Sequence, residues 1–202
     1  MKPGYRRPEF SHIIDIIEEQ SKVLDLGCGD GTLLELLVKE KNVKARGIEI
    51  KEELVTECVG KHLTVYHGDI EEAIANYPDA SFDYVILNKT LQVTKRPRNI
   101  LAEMLRVGKQ AIVSFPNFAY FQIRKQILLY GRMPKSNALP FEWYETPNIH
   151  LTTVLDFKRL CRAEGLKTIR EVYIAASDPI PSVLVNMFPN LLAEVAVFVL
   201  RK

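Results

Sequence analysis

Three glycines two residues apart carry the most legible chemistry in this chain: Gly27, Gly29 and Gly31 in Val23-Leu24-Asp25-Leu26-Gly27-Cys28-Gly29-Asp30-Gly31-Thr32. An apolar, β-rich run enters this segment and a helical pattern leaves it. Glycines at such a turn allow a sharp reversal and let backbone N–H groups approach a ligand with no Cβ in the way. The ligand then lies across the carboxyl ends of the first strands, at the switch point of an open sheet. Position 32 is Thr, so the third glycine comes one residue early for a G-x-G-x-x-G dinucleotide turn, and no Gly-Lys-Ser/Thr closes a phosphate-gripping loop. Asp25, two residues before Gly27, would repel a pyrophosphate and suits a ligand carrying an ammonium group. Glu49 ends a second strand about 20 residues beyond the turn, where an acid commonly accepts from ribose hydroxyls. Asp69 ends a third strand, in reach of an adenine amine. Three acids around a glycine turn suit a cationic, ribose-bearing ligand.

The elements that must position these residues alternate along the chain. Strands are expected at Val23–Leu26, Arg46–Ile50, Leu63–His67, Phe82–Leu87 and Ala111–Phe115. Between them, helical spacing marks Thr32–Glu40, Lys51–Cys58, Ile70–Tyr77 and Arg98–Val107, the last opened by Pro97 where a first turn tolerates proline. Strand–helix–strand alternation at this spacing implies right-handed parallel crossovers and a doubly wound α/β sheet. Phe157–Glu164 reads as a helix stopped by Gly165, and Leu166–Ile174 and Ala193–Leu200 as two further strands. Asp178-Pro179-Ile180-Pro181 is too proline-rich for helix before Ser182. A hairpin-like return of the last strand then makes a mostly parallel, seven-stranded sheet with one antiparallel strand, and residues 1–202 are expected to form one domain.

Composition narrows the function classes. The 202 residues hold 27 Lys+Arg against 25 Asp+Glu, a net charge of +2, which supplies no broad basic field for nucleic acid or an anionic membrane. Three cysteines, Cys28, Cys58 and Cys161, are too few and scattered for a disulfide framework or zinc site. His12, His62, His67 and His150 show no metal-ligand spacing, so no metal is expected. The apolar run Val195–Leu200 is far short of a bilayer span, which needs about 18 residues. The charged N-terminus has no apolar stretch behind it. The expectation is a soluble, cytoplasmic protein. Cys28 has no base placed to activate it and reads as a small filler under the turn.

The resemblance is then plain. Asp25-x-Gly27-x-Gly29-x-Gly31, with acids after the second and third strands, resembles the class I S-adenosylmethionine-dependent methyltransferases. More specific segments cover nearly the whole chain: Ser81–Leu87, Ala111–Phe118, Gly131-Arg132-Met133-Pro134, Leu139-Pro140-Phe141-Glu142-Trp143-Tyr144 and Thr146-Pro147-Asn148-Ile149-His150-Leu151 resemble the MetW family of methionine-biosynthesis proteins. Gln92-Val93-Thr94 is a small departure in a segment facing the cofactor. The resemblance implies a Rossmann-like methyltransferase fold, S-adenosylmethionine as cofactor, and action beside a homoserine O-acyltransferase. The candidate cofactor-binding set is Asp25, Gly27, Cys28, Gly29, Gly31, Glu49, Ile50, Asp69, Ile70 and Asn88; no catalytic residue is assigned. Asn88-Lys89-Thr90-Leu91 is not the Asn/Asp-Pro-Pro-Tyr signature of amino-methylating nucleic-acid enzymes.

Residues 115–150 stand apart, with eight of the chain's 18 aromatic residues. The segment reads as a helix over Phe118–Leu129 and a loop that forms either an acceptor lid or a surface for a partner. His150 in that loop is either an acceptor-site base or a hydrogen-bonded loop residue. Two roles remain open on the sequence: a cofactor-binding accessory subunit of an acyltransferase, or a methyltransferase acting on a small-molecule acceptor, with RNA the less favoured substrate.

Overall fold

In a computed structural model, which describes residues 7–176 and 179–202, the strands form one seven-stranded sheet. They are β1 (Lys22–Leu26), β2 (Lys44–Glu49), β3 (Val65–His67), β4 (Phe82–Asn88), β5 (Gly108–Pro116), β6 (Lys167–Ile174) and β7 (Val195–Arg201), in spatial order β3-β2-β1-β4-β5-β7-β6. β1 to β5 pair in parallel, and β7 runs antiparallel to both of its neighbours. The architecture is the doubly wound sheet with one antiparallel strand that the alternation of elements implied. The first six residues of the charged N-terminus and Asp178 of the proline-rich return lie outside the described residues.

Side-chain alternation splits the core into two layers. On one face Leu24, Leu26, Val85, Leu87, Val113 and Phe115 pack against α5 (Pro97–Val107) and α7 (Val154–Ala163). On the other, Val23, Ile86, Ile112 and Val197 pack against α1 (Pro8–Ile16) and α2 (Thr32–Lys41). Strands covered on both faces must be apolar almost throughout, as β4, β5 and β7 are. Helix α1 was not among the expected elements. Its signal was present: Phe10, Ile13, Ile14 and Ile17 stand at helical spacing behind Pro8, and all four are buried.

Other boundaries shift for local reasons. The segment expected to be one helix over Ile70–Tyr77 is a short α4 (Ile70–Ala73) running into a 3-10 turn over Ile74–Asn76. α7 starts at Val154, three residues early, because the Thr153 hydroxyl caps it by accepting from the Asp156 N–H. The helix expected from Phe118 begins at Phe121, as α6 (Phe121–Tyr130), because Asn117 claims the preceding backbone. Asn117 is fully buried, and its Oδ1 accepts from Ala119 N at 3.1 Å and Val154 N at 3.3 Å. Its Nδ2 donates to the carbonyls of Asn190 at 3.1 Å and Ala193 at 2.8 Å. One amide thus ties the end of β5 to the start of α7 and to the approach to β7, beside α8 (Ser182–Met187) and α9 (Pro189–Leu192). Asn117→Ala strands these buried groups and is expected to cost about 2–4 kcal/mol of stability, read by urea denaturation; a loss below about 1 kcal/mol would show that water replaces the amide.

Candidate functional site

The glycine turn leaves β1 with Gly27, Gly29 and Gly31 at φ of 74°, 59° and 73°, the left-handed region that glycine enters without strain. Gly27 N and Cys28 N both donate to Ile48 O, at 2.8 and 3.1 Å, which seats the turn against the end of β2. A Cβ at Gly31 would lie 2.6 Å from Leu63 Cδ1 and 2.8 Å from Cys58 Sγ, so that glycine is required by packing. A Cβ at Gly29 would meet nothing within 4 Å; it faces open space.

Glu49, at the last position of β2, joins this turn to the next connection. Its Oε2 accepts from Gly29 N at 2.9 Å, and its Oε1 accepts from Ile50 N and Lys51 N at 3.0 Å each. A carboxylate has roughly four lone-pair sites, and the loop uses three of them. Above it opens a cleft of about 410 Å³ between the turn, the start of α3 (Glu52–Gly60) and α4. The structure brings five of the candidate residues into its wall: Gly27, Glu49, Ile50, Asp69 and Ile70. Ile50, exposed, and Ile70, half-buried, supply apolar sides of the kind a flat ring needs. Asp69 Oδ1 accepts from Glu71 N at 2.8 Å as the cap of α4, while the residue also faces the cleft.

The other five candidates do not line the cleft. Asp25 lies beneath the turn, 2% exposed, and its Oδ1 has no hydrogen-bond partner among the described residues. Burial pushes its carboxyl up to about 7, against the opposing pull of Arg7 and with a further push from Glu49. Cys28 packs inward on Leu34 and Cys58, and burial raises its thiol, so it is filler and not a nucleophile. Gly29 and Gly31 contribute backbone to the turn. Asn88, at the end of β4, accepts from the Ser114 hydroxyl through Oδ1, within the sheet. Lys51, Leu54, Glu71, Thr90, Val93, Thr94, Lys95 and Pro147 complete the cleft wall; Val93 and Thr94 belong to the segment expected to face the cofactor and Pro147 to a MetW-like segment, while Lys51, Leu54, Glu71 and Lys95 carried no recognisable motif. His150 donates its backbone N–H to Gln92 O at 3.1 Å, the loop-residue reading, though its buried Nε2 has no partner among the described residues. No group of three or more His, Cys, Asp and Glu able to hold a metal occurs among the described residues, and no described helix is long and apolar enough to cross a membrane.

Residues 7–200 match the family described as methionine biosynthesis protein MetW. The chain belongs to the MetW family. A bifunctional methionine biosynthesis protein MetXA/MetW of Rhodopirellula baltica is 35% identical over 199 residues, which are 94% of this chain and 32% of the relative. The chain thus spans about a third of that relative's length. In fold it is similar to a SAM-dependent methyltransferase from Archaeoglobus fulgidus (TM-score 0.70, 16% identity, covering 96% of this chain and 91% of that one). A second S-adenosylmethionine-dependent methyltransferase, from Mesorhizobium loti, aligns at TM-score 0.69 and 13% identity, over 96% and 97% of the two chains. At these identities the likeness shows the fold alone. The MetW-like segments after α6 form an irregular wall beside the cleft, with Trp143 70% exposed on it.

The Asp25 carboxyl yields a pH prediction. Its proton is held in the folded state up to about pH 7 but only to about 3.8 when unfolded, so folding stability falls as pH rises through that window. Asp25→Asn removes this decline. Urea denaturation at pH 8 is expected to show the variant more stable than the parent, by on the order of 3 kcal/mol, with the difference shrinking toward pH 4; an unchanged difference across the range would place the titration elsewhere.

Proposed function

We propose that this chain binds S-adenosylmethionine in the cleft above Glu49 and acts in methionine biosynthesis, in the cytoplasm, beside a homoserine O-acyltransferase. The observation that carries the reading is the Glu49 carboxylate, which anchors the glycine turn and still fronts an open cleft with a lone-pair site to spare for a ribose hydroxyl. The residues present fit such a ligand. Beneath the turn, behind the cleft wall, Asp25 holds an orphaned buried carboxyl oxygen, while Ile50 and Ile70 give the wall apolar surface suited to a flat base and Asp69 adds a carboxylate to it. The MetXA/MetW name of the Rhodopirellula baltica relative joins the two activities in one chain, which supports the partner assignment. On this reading residues 1–202 act as one methyltransferase-like domain, and 115–150 is its partner-facing insertion.

When bound, S-adenosylmethionine supplies an electrophilic methyl carbon on a sulfonium. The chain's residues then have only to hold donor and acceptor in line and exclude water, work that needs no dedicated acid or base. Methyl transfer to a small acceptor is the second reading. It is favoured by a further cavity that shares Val93 and Pro147 with the cleft.

Calorimetry is expected to show S-adenosylmethionine and S-adenosylhomocysteine binding to the full chain; no heat with either, on folded protein, overturns the assignment. Glu49→Gln should weaken both by about 1–3 kcal/mol through lost charge-assisted hydrogen bonds. Glu49→Ala should in addition destabilise the fold, since it leaves the N–H groups of Gly29, Ile50 and Lys51 without their acceptor. Gly29→Val should abolish binding and lower the thermal midpoint, because at φ of 59° a β-branched residue strains the turn that Glu49 holds, even though its side chain meets open space. For the partner, changing Arg132 and Trp143 to Ala should lower co-purification of the acyltransferase and keep cofactor affinity within a few-fold. Both side chains are exposed, so the thermal midpoint should hold; full capture by the double variant would move the interface to another face.

A further inference from the structure

The last turn of α6 is Ile127-Leu128-Leu129-Tyr130, and these four residues are 50, 83, 60 and 68% exposed. Four consecutive helical residues point in every direction around the axis, so this turn carries apolar side chains on all sides and buries none of them. A helix that is apolar all round belongs inside protein. We propose that the turn is a knob that inserts into an apolar groove on a second copy of this chain, while that copy's knob fills the groove of the first.

The groove lies on the same chain, just past the knob. It has a volume of about 430 Å³ and is lined by Met133, Phe141, Trp143, Ile149 and Leu151, all about half exposed or more, with Leu139 buried at its base. Among the described residues that line it only Thr146 and Asn148 are polar, and the Thr146 hydroxyl accepts from Asn148 N at 3.2 Å. An apolar occupant therefore suits it. The knob does not fill its own groove, since none of its four residues lines it. Gly131, at φ of 61°, stops the helix with its N–H on Ile127 O, and Gln126 exchanges hydrogen bonds of 3.1 and 3.0 Å with the backbone of Lys135, which fixes the return of the chain.

A chain that carries a knob and a groove side by side has both halves of a two-fold contact. Each insertion is made twice, and both lie close to the symmetry axis. Knob and groove together present nine large apolar side chains to water. That is more contiguous apolar surface than the few hundred Å² a lone soluble domain usually shows.

The bordering charges say which partner fits. From Phe118 to Phe141 the chain has Arg124, Lys125, Arg132 and Lys135 and no acid, and Glu142 and Glu145 follow at once, on either side of Trp143-Tyr144. Lys125 stands three and four residues before Leu128 and Leu129, on their side of the helix, and Arg132 follows the knob directly, so cations border the knob. The two acids border the groove at Trp143. Turned about a two-fold axis, the cations of each knob meet the acids of the other copy's groove. An anionic lipid surface would suit the knob and repel the groove. The acyltransferase of the reading above would meet the same wall, so it and the second copy are alternative occupants; self-pairing requires neither that partner nor the cofactor.

The test is sedimentation velocity of the full chain across micromolar concentrations, with Trp143, its single tryptophan, read by fluorescence. A monomer–dimer equilibrium is expected, with the tryptophan emission moving to shorter wavelength as the knob covers it. Leu128→Glu, at a position 83% exposed, should keep the parental circular dichroism and weaken the dimer by about tenfold or more. Lys125→Glu with Arg132→Glu should weaken self-pairing, and so should Glu142→Lys with Glu145→Lys. The Lys135–Glu142 pair that the second change breaks is exposed on both sides, so its loss costs the fold little. Mixing the two double variants should restore a mixed dimer, because every knob then faces a groove of opposite charge. A monomer at every concentration overturns the proposal and leaves the wall to the acyltransferase. A dimer indifferent to Leu128→Glu, an emission that does not move, or a mixture that fails to pair overturns it as well and places the contact on another face.

Discussion

Everything at the functional edge of this sheet hangs on one carboxylate. Glu49 accepts the N–H of Gly29 from one connection and those of Ile50 and Lys51 from the next. Parallel strands send successive turns to the same edge, where their backbone donors point outward with no ladder partner. A single acid between two turns satisfies three of those donors at once and holds the turns at a defined separation. Asp25 lies one strand away, in the opposite environment: its Oδ1 has no hydrogen-bond partner among the described residues, and burial pushes its carboxyl toward neutrality. Two acids with divergent surroundings thus stand at this edge, one accepting three N–H groups at the cleft wall and the other buried beneath the turn.

The wall after α6 is irregular yet firmly tied. Ile149 N and His150 N both donate to Gln92 O, Phe118 N donates to Thr152 O, and Gln126 on α6 exchanges two hydrogen bonds with the backbone of Lys135. Leu139 is buried against Tyr120 and Ile123. The exposed pair Trp143 and Tyr144, in edge-to-face contact at 5.6 Å, therefore sits on a braced frame. Aromatics presented this way lose little freedom on contact, which is how interface anchors work.

How much of this could be read from residues alone depended on whether the determinant was local. The glycine turn and the acids closing β2 and β3 were legible because turn conformation and strand ends leave short-range marks. The inward role of Cys28 followed from the absence of any activating neighbour. Helix α1 carried a clear apolar stripe that its charged start, Arg6-Arg7, concealed. By contrast, nothing near Asn117 marks it as the tie between β5, α7 and β7, since its partners stand far along the chain. Lys89 and Gln92 drew notice only as parts of the segment after β4, and their partners left no mark near them. Lys89 pairs with Glu9, brought over the sheet by α1, and with Gln92 it lines a cavity closed by residues of a distant loop.

The position of β7 has a consequence for how the molecule is made. It lies between β5 and β6 yet follows both in the chain: Val195–Leu200 pair with Ala111–Pro116 on one side, and Val195–Arg201 with Lys167–Ile174 on the other. While the polypeptide is still emerging from the ribosome, β5 has no neighbour on that side and its edge hydrogen-bonding groups stand open. Phe115 and Phe157 touch each other, but the contact that each makes with Phe198 waits for β7. An unpaired apolar edge is the feature that most readily recruits a second nascent chain. The β5 edge is thus sealed only by a strand that lies about 80 residues further along the chain, so closing the sheet carries the loop-closure cost of that separation.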